Sequence, residues 1–139
     1  MTDTTIKSPV KIAGIIAVVF FGIVILLQLL LALGILPVTM AWGGRQHELT
    51  TSLRLTSLGS MVLLASFSYV IARRADLIGT PPPSLLIKVS SWLITGYLGL
   101  NTLGNFTSQS SGEKWLFGPI TVVLLVTCLL ISSSKITSQ

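Results

Sequence analysis

Four apolar runs, each close to the length that crosses a bilayer and separated by short polar links, leave this chain few folds to choose from. The first, Ile12 to Leu36, is 25 residues long, carries no charge and holds a single amide, Gln28. As a helix it measures about 37 Å, enough to cross a hydrocarbon core of about 30 Å with tilt. A cleaved secretory signal would have a shorter apolar region followed by a small-x-small site. Here the run ends in ILPVTM, which predicts a retained helix stopped by Pro37.

Charged residues make up 9% of the chain, against about 25% in soluble domains. A water-facing surface built from so few charges would be mostly apolar and would aggregate, whereas a lipid-facing surface needs none. The 139 residues are therefore expected to form one all-α domain, a polytopic membrane protein with a bundle of four transmembrane helices. The net charge of +5 does not point to nucleic acid, because the basic residues flank the apolar runs as membrane-end anchors. The one cysteine, Cys128, lies inside an apolar run, which excludes an intrachain disulfide and a C-x-x-C redox motif.

The spans are expected at about 12–36, 53–72, 85–104 and 115–132. Thr50, Thr51 or Ser52 can cap the second, and Arg73 and Arg74 end it. Its small residues Ser57, Gly59, Ser60, Ala65, Ser66 and Ser68 allow close helix approach, so it is expected to be the span most surrounded by the others. The linker ADLIGTPPPS cannot be helical throughout. In the third span Gly96 and Gly99 offer a thin strip for contact, and Asn101 and Asn105 share a face. Pro119 falls in the first turn of the fourth, where a missing N–H costs little. Lys7, Lys11, Arg73, Arg74, Lys88 and Lys135 lie on one side and Arg45, Arg54 and Lys114 on the other, which predicts cytoplasmic termini.

The opposite ends of the spans collect Gln28, Trp42, Arg45, His47, Glu48, Arg54, Asn101, Asn105, Glu113, Lys114 and Trp115. These residues form either an outward polar pocket or simply the polar loops that an interface requires. Arg54, in the first turns of a span, must snorkel, pair or bind an anion. A tie to Glu48 or Glu113 is the first expectation and an anion site the second. Gly43-Gly44 reads as a tight turn or as backbone N–H groups around an anion. His47 has no second ligand nearby, so no metal or cofactor is expected, and beside Glu48 it lacks a nucleophile. Asn105-Phe106-Thr107 matches the glycosylation acceptor pattern. Gln28, an amide in mid-span, is expected to bond to a neighbouring helix. No Asp or Glu lies inside a span, which argues against proton-coupled exporters. The lone cysteine likewise argues against four-helix thiol oxidoreductases. Walker, Rossmann, zinc and hydrolase motifs are missing from the sequence.

The stretch LALGILPVTMAWGGRQHELTTSLRLTSLGS, Leu31 to Ser60, resembles the signature of a group of small bacterial four-span membrane proteins. In that group an L-x-L-G run leads to a W-G-G or F-G-G loop and then to an L-R-x-x-S helix start. LGLNTLGNFTSQSSGEKWLFGPI resembles the group's L-x-N-x-x-S-x-S-x-x-E-x-x-W-x-P-I pattern, with a longer interval between Asn101 and Glu113. The resemblance implies the four-span topology and a bacterial cytoplasmic membrane, and marks Trp42, Gly43, Gly44, Arg54, Ser57, Asn101, Glu113, Trp115 and Pro119. It implies no activity.

Three readings of function follow. The first is a non-enzymatic membrane protein acting through helix contacts with a second copy or another membrane protein. The second is binding or transport of a small anionic ligand at the outward site near Arg54. The third is an intramembrane enzyme using His47 and Glu48. The lipid bilayer is a partner in all three.

Overall fold

The computed structural model describes residues 8–80 and 82–135. Lys7 and the rest of the N-terminal tail, Pro81 and the last four residues lie outside the described residues. Four long helices carry the fold: α1 (Pro9–Ala32), α2 (Thr51–Arg74), α3 (Leu85–Thr107) and α4 (Gly118–Ser133). Two short 3₁₀ turns, Val38–Met40 and Trp42–Gly44, lie between α1 and α2, and a π-helical turn, Glu113–Phe117, leads into α4. No strand occurs among the described residues.

The helix ends follow from identifiable residues. Ser8 caps α1 by accepting from the Lys11 N–H, with Pro9 at the first helical position. Thr50 caps α2 by accepting from Leu53 N–H, and Ser84 caps α3 by accepting from Ile87 N–H. The stop of α1 is not Pro37. The helix ends four residues earlier, where Gly34 takes φ +75°. There the Ile35 N–H bonds the Leu30 carbonyl and the Gly34 N–H bonds the Leu31 carbonyl, a Schellman closure. Asp76 (φ +58°) closes α2 in the same way, with Leu77 N–H on the Ala72 carbonyl. Asp76 also receives the sole ion pair among the described residues, from Lys11 at 3.5 Å.

Successive helices run antiparallel. Near the termini, a Cβ built on Gly14 of α1 would lie 2.5 Å from the Ala75 Cβ, so only glycine lets the end of α2 approach this closely. α3 and α4 meet through Thr95 and Ser132 at 3.1 Å and, at the other end, through Asn105 and Thr121 at 3.3 Å. The inward stripe of α1 is Ala13, Ala17, Phe21, Val24 and Leu31, at helical spacing. Phe21, Phe67 and Tyr97 make successive edge-on aromatic contacts that link α1, α2 and α3. Leu98, Leu124, Cys128 and Ile131 fill the middle.

Burial is inverted relative to a protein in water. On α3, Ser91, Thr95, Thr102 and Asn105 are buried, while Leu85, Leu86, Val89, Leu93, Leu100 and Leu103 are exposed. Such a helix suits an apolar surround, where polar groups must be satisfied within the protein. Most of the inward hydroxyls bond a carbonyl one turn back: Thr95 to Ser91, Thr102 to Leu98 and Thr121 to Gly118. α1, α2 and the continuous helical segment Glu113–Ser133 are each long and apolar enough to cross a membrane. The chain is a helical membrane protein.

Two expectations about packing are corrected. α2 is not the most surrounded span: of the three strongly apolar helices it is the least enclosed, and the segment containing α4 is the most. Gly59, Ala65 and Ser66 of α2 face outward, because its inward positions are Ser57, Leu64, Ile71 and Arg74. On α3, Gly96 has no neighbour within 4 Å, and only Gly99 approaches α4, at Leu125.

Arg74 secures the end of the helices nearest the termini. It is buried, and its guanidinium donates to the carbonyls of Ser132 (3.2 Å) and Ser134 (2.7 Å) and to the Ser134 hydroxyl (3.4 Å). These carbonyls lie at the C-terminal end of α4, where a positive charge is favoured by the helix dipole. A hydrogen bond to a charged group contributes about 1.5–3 kcal/mol. Arg74→Ala is therefore expected to lower the melting temperature in detergent by several degrees. Arg74→Lys should restore it only in part, because one ammonium can meet the two carbonyls that Nη2 bonds but cannot also supply the Nη1 bond to the Ser134 hydroxyl. Unchanged melting of both variants would remove the clamp.

Candidate functional site

At the end opposite the termini, the chain between α1 and α2 folds back over the helices. It is held there by the start of the α4 segment. The Ser110 hydroxyl donates to the Thr39 carbonyl (2.8 Å) and accepts from the Glu113 N–H (3.3 Å). The Gly43 N–H donates to Glu113 Oε1 (3.1 Å), 70 residues away in sequence. Close approach of the two loops depends on missing side chains. A Cβ on Gly112 would lie 2.8 Å from the Met40 carbonyl, and one on Gly44 would lie 3.1 Å from the Ser110 backbone. Trp42, Gly43 and Gly44 all have positive φ, at 56°, 74° and 71°. For tryptophan this is a strained conformation, of the kind that persists where surrounding contacts impose it.

Beneath this cover lies a cavity of about 140 Å³, comparable with one known to hold a benzene-sized molecule. Its polar lining is Gln28 from α1, Trp42 from the loop, Ser60 from α2, Asn101 and Asn105 from α3, and Glu113 and Thr121 from the α4 segment. Val24, Leu63, Leu64, Tyr97 and Phe117 supply apolar and aromatic wall. Gln28 is placed there by helical periodicity, since it falls on the inward stripe of α1 between Val24 and Leu31. Asn101 and Asn105 lie one turn apart on the inward side of α3. Glu113 is aimed by the π turn, in which Gly118 N–H bonds the Glu113 carbonyl five residues back. Pro119 has no N–H to give the Trp115 carbonyl, which fits a local departure from α geometry at this point.

Two of the lining residues hold a buried atom without a partner: Gln28 its Oε1, an acceptor, and Trp42 its Nε1, a donor. Natural proteins satisfy nearly all such atoms, so an exception beside a cavity marks where another molecule can bond. Gln28 is therefore not helix glue. Asn105 donates to the Thr121 hydroxyl and is buried, which removes the Asn105-Phe106-Thr107 triplet as an accessible glycan acceptor.

The remaining sequence candidates do not reach the cavity. Arg45, His47, Glu48 and Arg54 are exposed, and none of them makes a side-chain hydrogen bond or ion pair among the described residues. The expected Arg54 tie to Glu48 or Glu113 is not formed. Arg54 lies on the outer side of α2, where a long side chain can reach water without a partner. Glu113 takes its hydrogen bond from the Gly43 backbone instead, while the Gly44 N–H bonds the Ala41 carbonyl, so the glycine pair is a tight turn with one N–H on the protein's own carboxylate. Among the described residues there is no cluster of metal-ligating side chains. Sequence reasoning missed Tyr97 and Thr121 in the lining and the π turn. Tyr97 and Thr121 lie one turn from Asn101 and Phe117 on stripes that could have been extended by 3.6-residue counting.

Comparison of the chain with protein families, curated proteins and solved structures gives no match.

Glu113→Ala removes the acceptor that holds the Gly43 N–H, whereas Glu113→Gln keeps an oxygen in its place. Trypsin cleavage after Arg45 is expected to quicken about tenfold in the alanine variant and to change little in the glutamine variant. Equal cleavage rates in all three proteins would show that this bond does not hold the loop.

Proposed function

We propose that this chain is a four-span bundle that binds a small polar molecule in the cavity between Gln28, Trp42, Asn101, Asn105 and Glu113. One observation carries the reading: two residues that line the same cavity, Gln28 and Trp42, each hold a buried polar atom without a partner, the acceptor Oε1 and the donor Nε1. Pockets of this kind, mostly apolar with a few convergent polar groups between helices, are the common form of small-molecule sites. The fourth span in this reading is α3. Its 23 residues are long enough, and Ser91, Thr95, Thr102 and Asn105, which lower its hydropathy, face inward, while the exposed Lys88 lies near its first turn. The six-to-three distribution of lysine and arginine supports cytoplasmic termini and a cavity on the outer side. Binding is favoured over conduction, because Leu98, Leu124 and Cys128 close the interior below the cavity.

Single-cysteine labelling tests this arrangement, with the buried Cys128 giving no background. In intact cells, Asn101→Cys is expected to react with a membrane-impermeant thiol reagent. Ser8→Cys and Lys135→Cys should react only in inverted vesicles. Protection of the Asn101→Cys thiol by at least one member of a panel of small amines, amides, polyols and carboxylates is the binding signature. Labelling of Asn101→Cys from the cytoplasmic side alone would invert the site, and no protection by any compound would remove the binding function.

A second reading, association with a second copy or another membrane protein, is supported by α2. Its exposed face presents Thr56, Gly59 and Ser66, and both hydroxyls are already bonded to their own helix. Such a face permits close helix contact in lipid. Gly59→Leu is then expected to abolish crosslinked species formed by the native protein, and recovery of monomer alone from the native protein would end this reading.

A further inference from the structure

The lining of the cavity bears on what chemistry it accepts. Glu113 is its one ionisable carboxylate, and no lysine, arginine or histidine contributes to it. Arg54, the nearest basic candidate from sequence, is exposed outside it. The unbonded amides of Gln28 and Asn101 and the Tyr97 hydroxyl offer donors as well as acceptors, so the charge preference rests on the carboxylate and the acceptors beside it. Gln28 Oε1 is buried and unpartnered, and the Asn105 side chain uses its amide N–H₂ on Thr121, leaving its carbonyl oxygen free. Glu113 uses one carboxylate oxygen on Gly43, and the other has no partner among the described residues. Three aromatic residues, Trp42, Tyr97 and Phe117, come from three separate segments to form wall. Aromatic faces attract cations and carboxylates pair with them, more strongly where water is excluded. An anion would meet this lining at a cost. Among the lining donors Trp42 Nε1 is the one that is both buried and unpartnered, and it adds a further requirement: the occupant must also present an acceptor.

Building on the binding function proposed above, we infer that the occupant is a small organic ammonium whose other end carries a hydroxyl, ether or carbonyl oxygen. The N–H groups bond Glu113 and Gln28 Oε1, and the oxygen takes the Trp42 N–H. A free amino alcohol and the ethanolamine head of a phospholipid share this chemistry. The small anion expected near Arg54 is replaced by a cation near Glu113.

Four ring compounds of similar size separate the requirements: morpholine (a cation with an ether oxygen), piperidine (a cation alone), 1,4-dioxane (oxygen alone) and tetrahydrofuran-2-carboxylate (an anion). Binding is read from Trp42 fluorescence in the full chain with Trp92→Phe and Trp115→Phe, both at exposed positions, in phosphatidylcholine nanodiscs at neutral pH. Morpholine is expected to bind at least tenfold more tightly than dioxane and several-fold more tightly than piperidine, and the carboxylate not at all. Glu113→Gln, which keeps an acceptor for Gly43, should weaken morpholine about tenfold and leave dioxane unchanged. Weakening of morpholine in nanodiscs rich in phosphatidylethanolamine would identify a lipid head as the source, and no change would identify a free amine. Dioxane or the carboxylate binding as tightly as morpholine would overturn the cation while leaving the binding function standing. No saturable response to any of the four would overturn both.

Discussion

Polar side chains in this protein have one place to go. With the outer faces of the helices given over to leucine, isoleucine and valine, every hydroxyl and amide within the spans must be satisfied by its own helix, by a neighbour or by something held between them. Most of the serines and threonines take the first course by bonding the carbonyl one turn back, with the buried Ser57 hydroxyl an exception. The asparagines and Gln28 are too large for that solution. They collect at one end of the helices, and the cavity is what results from packing several such groups where their mutual pairing is incomplete.

The two ends of the protein are held by different means. Near the termini, Arg74 fastens α2 to the last carbonyls of α4, and glycine at position 14 brings the end of α2 against α1. At the other end a loop is held by one carboxylate and one serine, with tryptophan in a strained backbone conformation. The first arrangement uses several charge-assisted bonds and tight packing. The second joins two loops by close backbone packing and by bonds from one carboxylate and one hydroxyl.

Much of this was legible in the residues, and the failures have definite causes. Apolar run length located the four helices to within a few residues, because hydropathy averages over a whole span. The end of α1 was misplaced because proline was weighed above glycine, although Gly34 is the residue able to take the left-handed conformation that closes a helix. Trp42, Gln28, Asn101, Asn105 and Glu113 were named as candidates, and the structure gathers all five around one cavity. Arg54 misled because a charge near a span draws attention whichever side it faces, and one residue's azimuth cannot be read without the helix phase. The small residues of α2 misled for the same reason. The Gly43 to Glu113 bond joins backbone to side chain across 70 residues, and no local pattern encodes it.

The π turn at Glu113–Phe117 carries a consequence for how the carboxylate is specified. A π turn holds one residue more than the α turn it replaces, and each residue in a helix advances the azimuth by about 100°. Removing one residue from this turn would let it relax to ordinary α-helix and swing Glu113 about a quarter of a circle away from Gly43 and the asparagines. Chemistry at this point is thus fixed by arithmetic as much as by identity: a chain one residue shorter could keep every lining side chain and still aim the cavity's one carboxylate at the wrong wall.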